Sequence, residues 1–92
     1  MSVKNIAVTV YGKVQGVFFR KHAKEKALLL GLNGFVKNMA DGSVYAEASG
    51  SQEAIADFIA WCHKGPAWAK VEKVVVKDLQ QEQKSLFEIK YF

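Results

Sequence analysis

The segment that most constrains the fold is residues 11–20, Y-G-K-V-Q-G-V-F-F-R, which joins a predicted strand to a predicted helix. Residues 4–11, K-N-I-A-V-T-V-Y, place Ile6, Val8 and Val10 at alternate positions, and this period of two is typical of a strand. Residues 20–30 are mostly strong helix formers, and Gly31 is a suitable place for that helix to end. We therefore expect a strand, a loop with two glycines, and a helix in succession.

A hairpin and a second helix follow in the pattern. Residues 34–38 and 43–49 have strand composition and lie on either side of Asp41-Gly42, a dipeptide that favours a tight hairpin with a positive φ at Gly42. Ser51 is a suitable N-cap for the next helix, and Gly65-Pro66 ends it. The hairpin places Asn38 at the end of a strand, beside a turn.

Two last strands complete the prediction, at residues 71–79 and 87–91. In the strand at residues 71–79, we expect Val74 and Val76 to face inward. In the strand at residues 87–91, we expect the same of Phe87, Ile89 and Tyr91. The order β-α-β-β-α-β, with a further strand, favours an α+β ferredoxin-like sandwich. We expect an antiparallel sheet with both helices on one face and an extra C-terminal edge strand.

Composition indicates one compact domain over residues 1–92. Half of the residues are hydrophobic and there is a single proline, so no linker between two cores is evident. The one cysteine, Cys62, excludes an internal disulfide, and its spacing on the second helix places it in the core. No leader and no apolar span of about 20 residues is present, so we expect a cytoplasmic protein without membrane association.

The net charge of +4 is unevenly distributed along the chain. Five basic residues precede the first acidic residue, Glu25: these are Lys4, Lys13, Arg20, Lys21 and Lys24. Such asymmetry favours an anionic partner, either a nucleic acid or a small phosphorylated molecule. Charge alone does not distinguish the two.

Several chemistries are disfavoured by the residues present. A metal site would need ligand spacing, but His22 and His63 lie on different predicted helices. Nucleophilic catalysis through Cys62 lacks a base that can be placed beside it. RNA recognition is the more serious alternative, because this fold can display aromatic residues on its sheet, and Phe35, Tyr45 and Tyr91 are present. However, S-V-Y-A-E-A-S at residues 43–49 does not match the ribonucleoprotein motif, so nucleic acid is an unlikely partner.

The loop itself suggests a phosphate site. Gly12 and Gly16 allow positive φ angles, so consecutive N–H groups can converge on one anion. Between Gly12 and Phe19 there is no Ser, Thr, Asp or Asn to cap the helix, which leaves its first N–H groups free. Arg20 can pair with two phosphate oxygens at once. The alternative is an ordinary glycine turn with an arginine in solvent.

Two motifs in the chain resemble the acylphosphatase signatures. G-K-V-Q-G-V-F-F-R, residues 12–20, matches the family's G-x-V-Q-G-V-x-F/M-R at every specified position. Residues 34–50 are similar to the second signature, with Asn38 at its asparagine, and F-E-I-K-Y near the end resembles the family's last strand. Phe18, Met39 and Ala40 occupy variable positions. The resemblance covers essentially the whole chain.

The resemblance implies hydrolysis of small-molecule acyl phosphates to a carboxylate and inorganic phosphate, the latter also a competitive inhibitor. By the same resemblance, Asn38 positions the attacking water and Arg20 binds the phosphate. The loop amides that would hold the phosphate are those of Gln15, Gly16, Val17, Phe18, Phe19 and Arg20. No metal or other cofactor is expected, and His22 is not required. The alternative is a noncatalytic phosphate- or nucleic-acid-binding module.

Related domains also occur within larger enzymes that act on carbamoyl phosphate. Because this chain begins and ends with the domain, we expect a separate small enzyme instead. A monomer is expected, although the sequence does not determine the oligomeric state. The acyl group of the substrate is likewise left open.

Overall fold

The computed structural model describes residues 3–91 as five strands and two helices. In chain order these are β1 (Lys4–Lys13), α1 (Phe19–Leu29), β2 (Asn33–Asn38), β3 (Val44–Gly50), α2 (Gln52–Lys64), β4 (Lys70–Asp78) and β5 (Glu88–Lys90). Each predicted element is present within about two residues of its expected bounds. The α+β ferredoxin-like fold is thereby confirmed.

The strands form one sheet in the order β4-β1-β3-β2-β5. β1 pairs antiparallel with both β3 and β4, and β2 pairs antiparallel with β3. Every second residue of these strands faces the helices, as the partners Val8, Ala46 and Val76 illustrate. α1 contributes Ala23 and Ala27 to the core, and small side chains there let the helix lie close to the sheet.

The extra strand lies at the sheet edge, as expected, but it runs parallel to β2, so the sheet is mixed rather than antiparallel. The reason is the path from β4 to β5, which crosses one end of the sheet. The Leu79 N–H donates to the Asn5 carbonyl, the Gln83 N–H to Ser49 Oγ, and the Ser85 carbonyl accepts from the Gly34 N–H. The chain thus reaches the sheet at the end where β2 begins, and it must continue in the direction of β2.

Two predicted core residues are exposed. Val76 shares the helix-facing side with Val8 but is 38% exposed, because β4 is an edge strand with a neighbour on only one side. Tyr91 follows the last strand and is 76% exposed, so its expected inward orientation is wrong. Phe87 is buried as expected and packs edge-on against Phe58 of α2.

The remaining local predictions are confirmed. Ser51 Oγ accepts a hydrogen bond from the Ala54 N–H and caps α2, and Gly42 has a φ of 94° in the hairpin turn. Cys62 is buried in the core, and burial raises the pKa of its thiol to about 12. Neither described helix has the length and apolar composition needed to cross a bilayer.

Candidate active site

The loop that joins β1 to α1, residues 14–18, enters the helix without a side-chain cap. Phe18 occupies the N-cap position with φ 63° and ψ 24°, a left-handed conformation, and no acidic residue lies in the first turn of α1. Within residues 3–91, no protein acceptor pairs with the amide N–H of Gly16, Val17 or Phe18. These donors and the positive end of the helix dipole favour an anion at this position.

Gly12, which the structure places in β1, and Gly16, which lies in the loop, are required for different reasons. Gly12 has a φ of 126°, and a Cβ there would overlap the Lys70 carbonyl oxygen, so the close approach of β4 excludes any side chain. Gly16 has a φ of 75°, but a Cβ there would meet no atom within 4 Å. The backbone at Gly16 therefore needs glycine for its conformation, and the space beside it is open.

Gln15 fastens the loop to the hairpin between β2 and β3. Its Nε2 donates to the Met39 carbonyl at 2.8 Å and to the Ser43 carbonyl at 2.9 Å. The hairpin is itself held by Asp41, whose carboxylate accepts from both the N–H and the hydroxyl of Ser43. These hydrogen bonds hold the pKa of Asp41 below its usual range. The Gln15 side chain thus links the loop to the backbone that follows the end of β2.

Arg20 and Asn38, 18 residues apart in the chain, line one cavity of about 310 Å³. The complete lining is Val14, Gly16, Phe18, Phe19, Arg20, Lys21, Asn38, Ile89 and Tyr91. Both charged groups in this lining are cationic, and it contains no Asp, Glu or His. β1, β2 and β5 run in the same direction, so their C-terminal ends lie at one end of the sheet. The segments that follow these three strands therefore meet at the cavity.

The side-chain carbonyl of Asn38 has no protein partner in this cavity. Its Oδ1 is buried, and none of residues 3–91 donates a hydrogen bond to it. An unpaired buried acceptor is costly, so such an atom is usually satisfied by water or ligand. Asn38 also lines the cavity, so its side-chain amide lies within reach of a water molecule there.

The Arg20 guanidinium is not neutralised within the described part of the chain. No carboxylate of residues 3–91 lies within salt-bridge distance of it, and its guanidinium carbon is 5.0 Å from the centre of the Tyr91 ring. An aromatic face can orient a guanidinium without removing its charge. Sequence analysis did not detect this contact, since it follows from the parallel direction of β5.

The other predicted site residues are distributed on two sides of the loop. Gly16, Phe18 and Phe19 line the Arg20 cavity, whereas Gln15 and Val17 do not. The Val17 side chain is buried and the Gln15 side chain is bonded to the hairpin, so both support the loop. His22 lies outside this cavity, in a groove beside Trp61, and its Nδ1 is 3.3 Å from Glu25 Oε1.

The aromatic residues considered for RNA binding have separate positions. Phe35 and Tyr45 lie on the sheet face away from the helices, with ring centres 6.2 Å apart, whereas Tyr91 lies beside Arg20. The Tyr45 hydroxyl donates to Glu47 Oε2, and burial together with this bond raises the pKa of Tyr45 to about 12. The charge beside these rings is mixed, since Lys37 lies over Tyr45 and Lys90 over Phe35 on the same face as Glu47.

The chain is similar to known acylphosphatases over most of its length. A family model described as Acylphosphatase matches residues 6–89. An acylphosphatase from Nocardioides sp. is 49% identical over 73 residues, which are 79% of this chain and 74% of that protein. One from Rubrobacter xylanophilus is 45% identical over 75 residues, 82% of this chain and 68% of that protein. The solved structure of an acylphosphatase from Coxiella burnetii has a TM-score of 0.91 at 40% identity, covering 96% of this chain and 93% of that one.

Proposed function

This chain belongs to the acylphosphatase family, and from that premise we propose that it hydrolyses acyl phosphates to a carboxylate and inorganic phosphate. The observation that carries the proposal is the shared cavity of Arg20 and Asn38, which brings together a guanidinium without a carboxylate partner among residues 3–91, loop amides without a protein acceptor and an uncharged side-chain amide. A noncatalytic phosphate-binding module would use the first two of these features but has no need of the third.

In the proposed mechanism the loop and Arg20 hold the phosphate. Amide N–H groups of residues 15–20 and the planar guanidinium donate to its oxygens, where charge is concentrated during phosphoryl transfer. Lys21 adds positive charge at the rim of the same cavity. Tyr91 keeps the guanidinium oriented toward the cavity. These groups bind the product phosphate too, so inorganic phosphate should inhibit competitively.

Asn38 positions the water that attacks phosphorus. Its side-chain amide lines the cavity and hydrogen-bonds the water, which directs an oxygen lone pair toward the bound phosphate. An amide is not basic enough to take the proton, so a phosphate oxygen of the substrate accepts it. The P–O bond to the acyl group breaks as the new P–O bond forms, and the electron pair leaves on the carboxylate.

The absence of acidic groups from the cavity lining suits this leaving group. A carboxylate is stable as an anion, so it needs no protonation as it departs, whereas an alkoxide from a phosphate ester does. We therefore expect strong discrimination between acyl phosphates and alkyl phosphate esters. The positive field of Arg20 and the loop supplies the charge stabilisation, so a divalent metal is not expected to be required.

Phosphate release from acetyl phosphate with and without EDTA tests the proposal. We expect turnover that EDTA leaves unchanged, no measurable hydrolysis of glycerol phosphate, and competitive inhibition by inorganic phosphate. Calorimetric binding of phosphate without any turnover would instead establish the noncatalytic module. A monomeric state and a cytoplasmic location remain predictions, which gel filtration and cell fractionation would check.

A further inference from the structure

A second cavity, of about 680 Å³, lies between α1 and the C-terminal end of α2. We call it the interhelix groove. It is lined by His22 and Lys26 of α1, by Trp61 and Lys64 of α2, and by residues 65–67 and 69 of the segment after α2. None of these residues lines the Arg20 cavity, so the groove is a separate site that the proposed hydrolysis does not use.

The two helices bring basic side chains to both sides of the groove. His22 and Lys26 are four residues apart on α1, and Trp61 and Lys64 are three apart on α2. At these spacings each pair occupies one face of its helix. Glu25 Oε1 is 3.3 Å from His22 Nδ1 but does not line the groove. The lining itself contains no carboxylate, so its charge is positive.

The two lysines of the groove have no carboxylate partner in the described part of the chain. Among residues 3–91, no Asp or Glu lies within salt-bridge distance of Lys26 or Lys64. Each lysine lies in the last turn of its helix, where the dipole favours a cation, but that effect does not explain why both line one cavity. Like charges that share a cavity repel each other, and an anion between them removes this cost.

Trp61 gives the groove a fixed aromatic wall. Its ring centre is 5.1 Å from that of Phe19 and 6.4 Å from that of Phe58, and both phenylalanines are buried. Trp61 itself is only partly buried, so part of its ring remains accessible from the groove. A ring that is already ordered loses little conformational entropy when a planar ligand packs against it.

We infer that the interhelix groove binds a nucleotide, with the base against Trp61 and the phosphates between Lys26 and Lys64. The lysines require an anion and the tryptophan favours a planar apolar group, and a nucleotide carries both. A volume of about 680 Å³ is typical of small-molecule sites, which favours a single nucleotide over a nucleic-acid strand.

Titration of ADP into the Trp68→Phe variant, without metal ions, tests the inference. The chain has two tryptophans and Trp68 lies outside the groove, so the remaining fluorescence reports on Trp61 alone. We expect saturable quenching that weakens as the salt concentration rises. Pyrophosphate, which has the charge but no base, should displace ADP with an affinity lower by roughly threefold or more.

Three substitutions in the same background locate the nucleotide. Lys26→Ala and Lys64→Ala should each weaken ADP binding by roughly fivefold or more. Lys24→Ala is the matched control, because it removes the same charge from α1 but lines neither cavity, and it should leave the affinity within about twofold. Arg20→Ala should also leave it within about twofold, because Arg20 lies outside the groove.

Four outcomes would overturn the inference. These are no saturable quenching by ADP, equal ADP affinity in the three lysine variants, loss of ADP binding in Arg20→Ala, which would place the nucleotide in the Arg20 cavity, and equal affinity for pyrophosphate and ADP. Lys26 and Lys64 are at least partly exposed, so their truncation should leave the fold intact, which circular dichroism checks. None of these measurements depends on turnover, so their failure would leave the proposed hydrolysis standing.

Discussion

In the proposed mechanism, single residues of the Arg20 cavity have separable roles in binding and in chemistry. Asn38 contributes a side-chain amide and no charge, whereas Arg20 contributes charge and a planar set of donors. Loss of the first should therefore affect the transition state, and loss of the second should affect the bound phosphate as well. The two substitutions that follow test this division.

Asn38→Ala should lower kcat by two orders of magnitude or more while phosphate affinity changes only a few-fold. Without the side-chain amide the water is no longer oriented, but the loop and Arg20 are unchanged. Asn38→Asp should not restore turnover, because a carboxylate close to a phosphate dianion repels it and weakens binding. Steady-state kinetics beside phosphate calorimetry measure both effects. Turnover near that of the unchanged protein in a folded Asn38→Ala variant would remove Asn38 from the mechanism.

Arg20→Lys should reduce both kcat and phosphate affinity, by roughly 10²-fold or more in kcat/KM. Lysine keeps the charge but lacks the planar pair of donors, and it loses the orientation that the Tyr91 ring gives the guanidinium. Lys21→Ala is a useful comparison, since it removes a charge at the same rim and should cost far less. If the two variants had equal effects, charge alone would explain the site.

Between elements, the connection that matters most is Gln15, which joins the β1–α1 loop to the β2–β3 hairpin. Its amide reaches two backbone carbonyls, on Met39 and Ser43, that follow Asn38 closely in the chain. The distance between the phosphate donors and the Asn38 amide therefore depends on this one side chain.

Gln15→Ala should destabilise the fold by roughly 1–2 kcal/mol, because two hydrogen bonds are lost. The Ser43 and Met39 carbonyls each keep one backbone N–H donor. We also expect a several-fold increase in KM for acetyl phosphate, since the loop is no longer held to the hairpin. Urea denaturation and steady-state kinetics provide the measurements, with the exposed Gln80→Ala as control. Equal behaviour of the two variants would show that the loop holds its position without Gln15.

For the whole molecule, the buried thiol predicts a loss of stability in alkaline solution. Burial raises the Cys62 pKa from an ordinary value of 9.0 to about 12. Between these values the unfolded chain releases the thiol proton and the folded protein retains it, so the unfolded state is favoured as pH rises. The thiol should therefore reduce the free energy of unfolding by up to roughly 1.4 kcal/mol per pH unit above pH 9.

Urea denaturation at pH 8, 9 and 10, with Cys62→Ala alongside, measures this effect. The variant loses some packing at every pH, but its stability should fall less steeply above pH 9 than that of the unchanged protein. The raised pKa of Tyr45 acts in the same direction in both proteins and cancels in the comparison. Parallel pH profiles would show that Cys62 does not titrate in this way.

Much of the molecule follows from local sequence. The alternation of residues 5–11, the Asp41-Gly42 turn and the Ser51 cap each determine an element through interactions within a few residues, and all three are present in the structure. The loop motif also indicates an anion site, because the missing helix cap and the glycines can be recognised from residues next to one another in the chain. Arg20 and Asn38 were named as site residues from the motifs.

Features that depend on contacts between distant segments of the chain were decided only by the tertiary structure. The parallel direction of β5 follows from a crossing segment that bonds to β1, β3 and β2 in turn, and no periodicity within that strand encodes it. That direction is what brings Tyr91 to Arg20 rather than into the core. The cavity that Arg20 and Asn38 share is likewise determined by packing. It exists only when every element is in place, and local sequence does not contain that information.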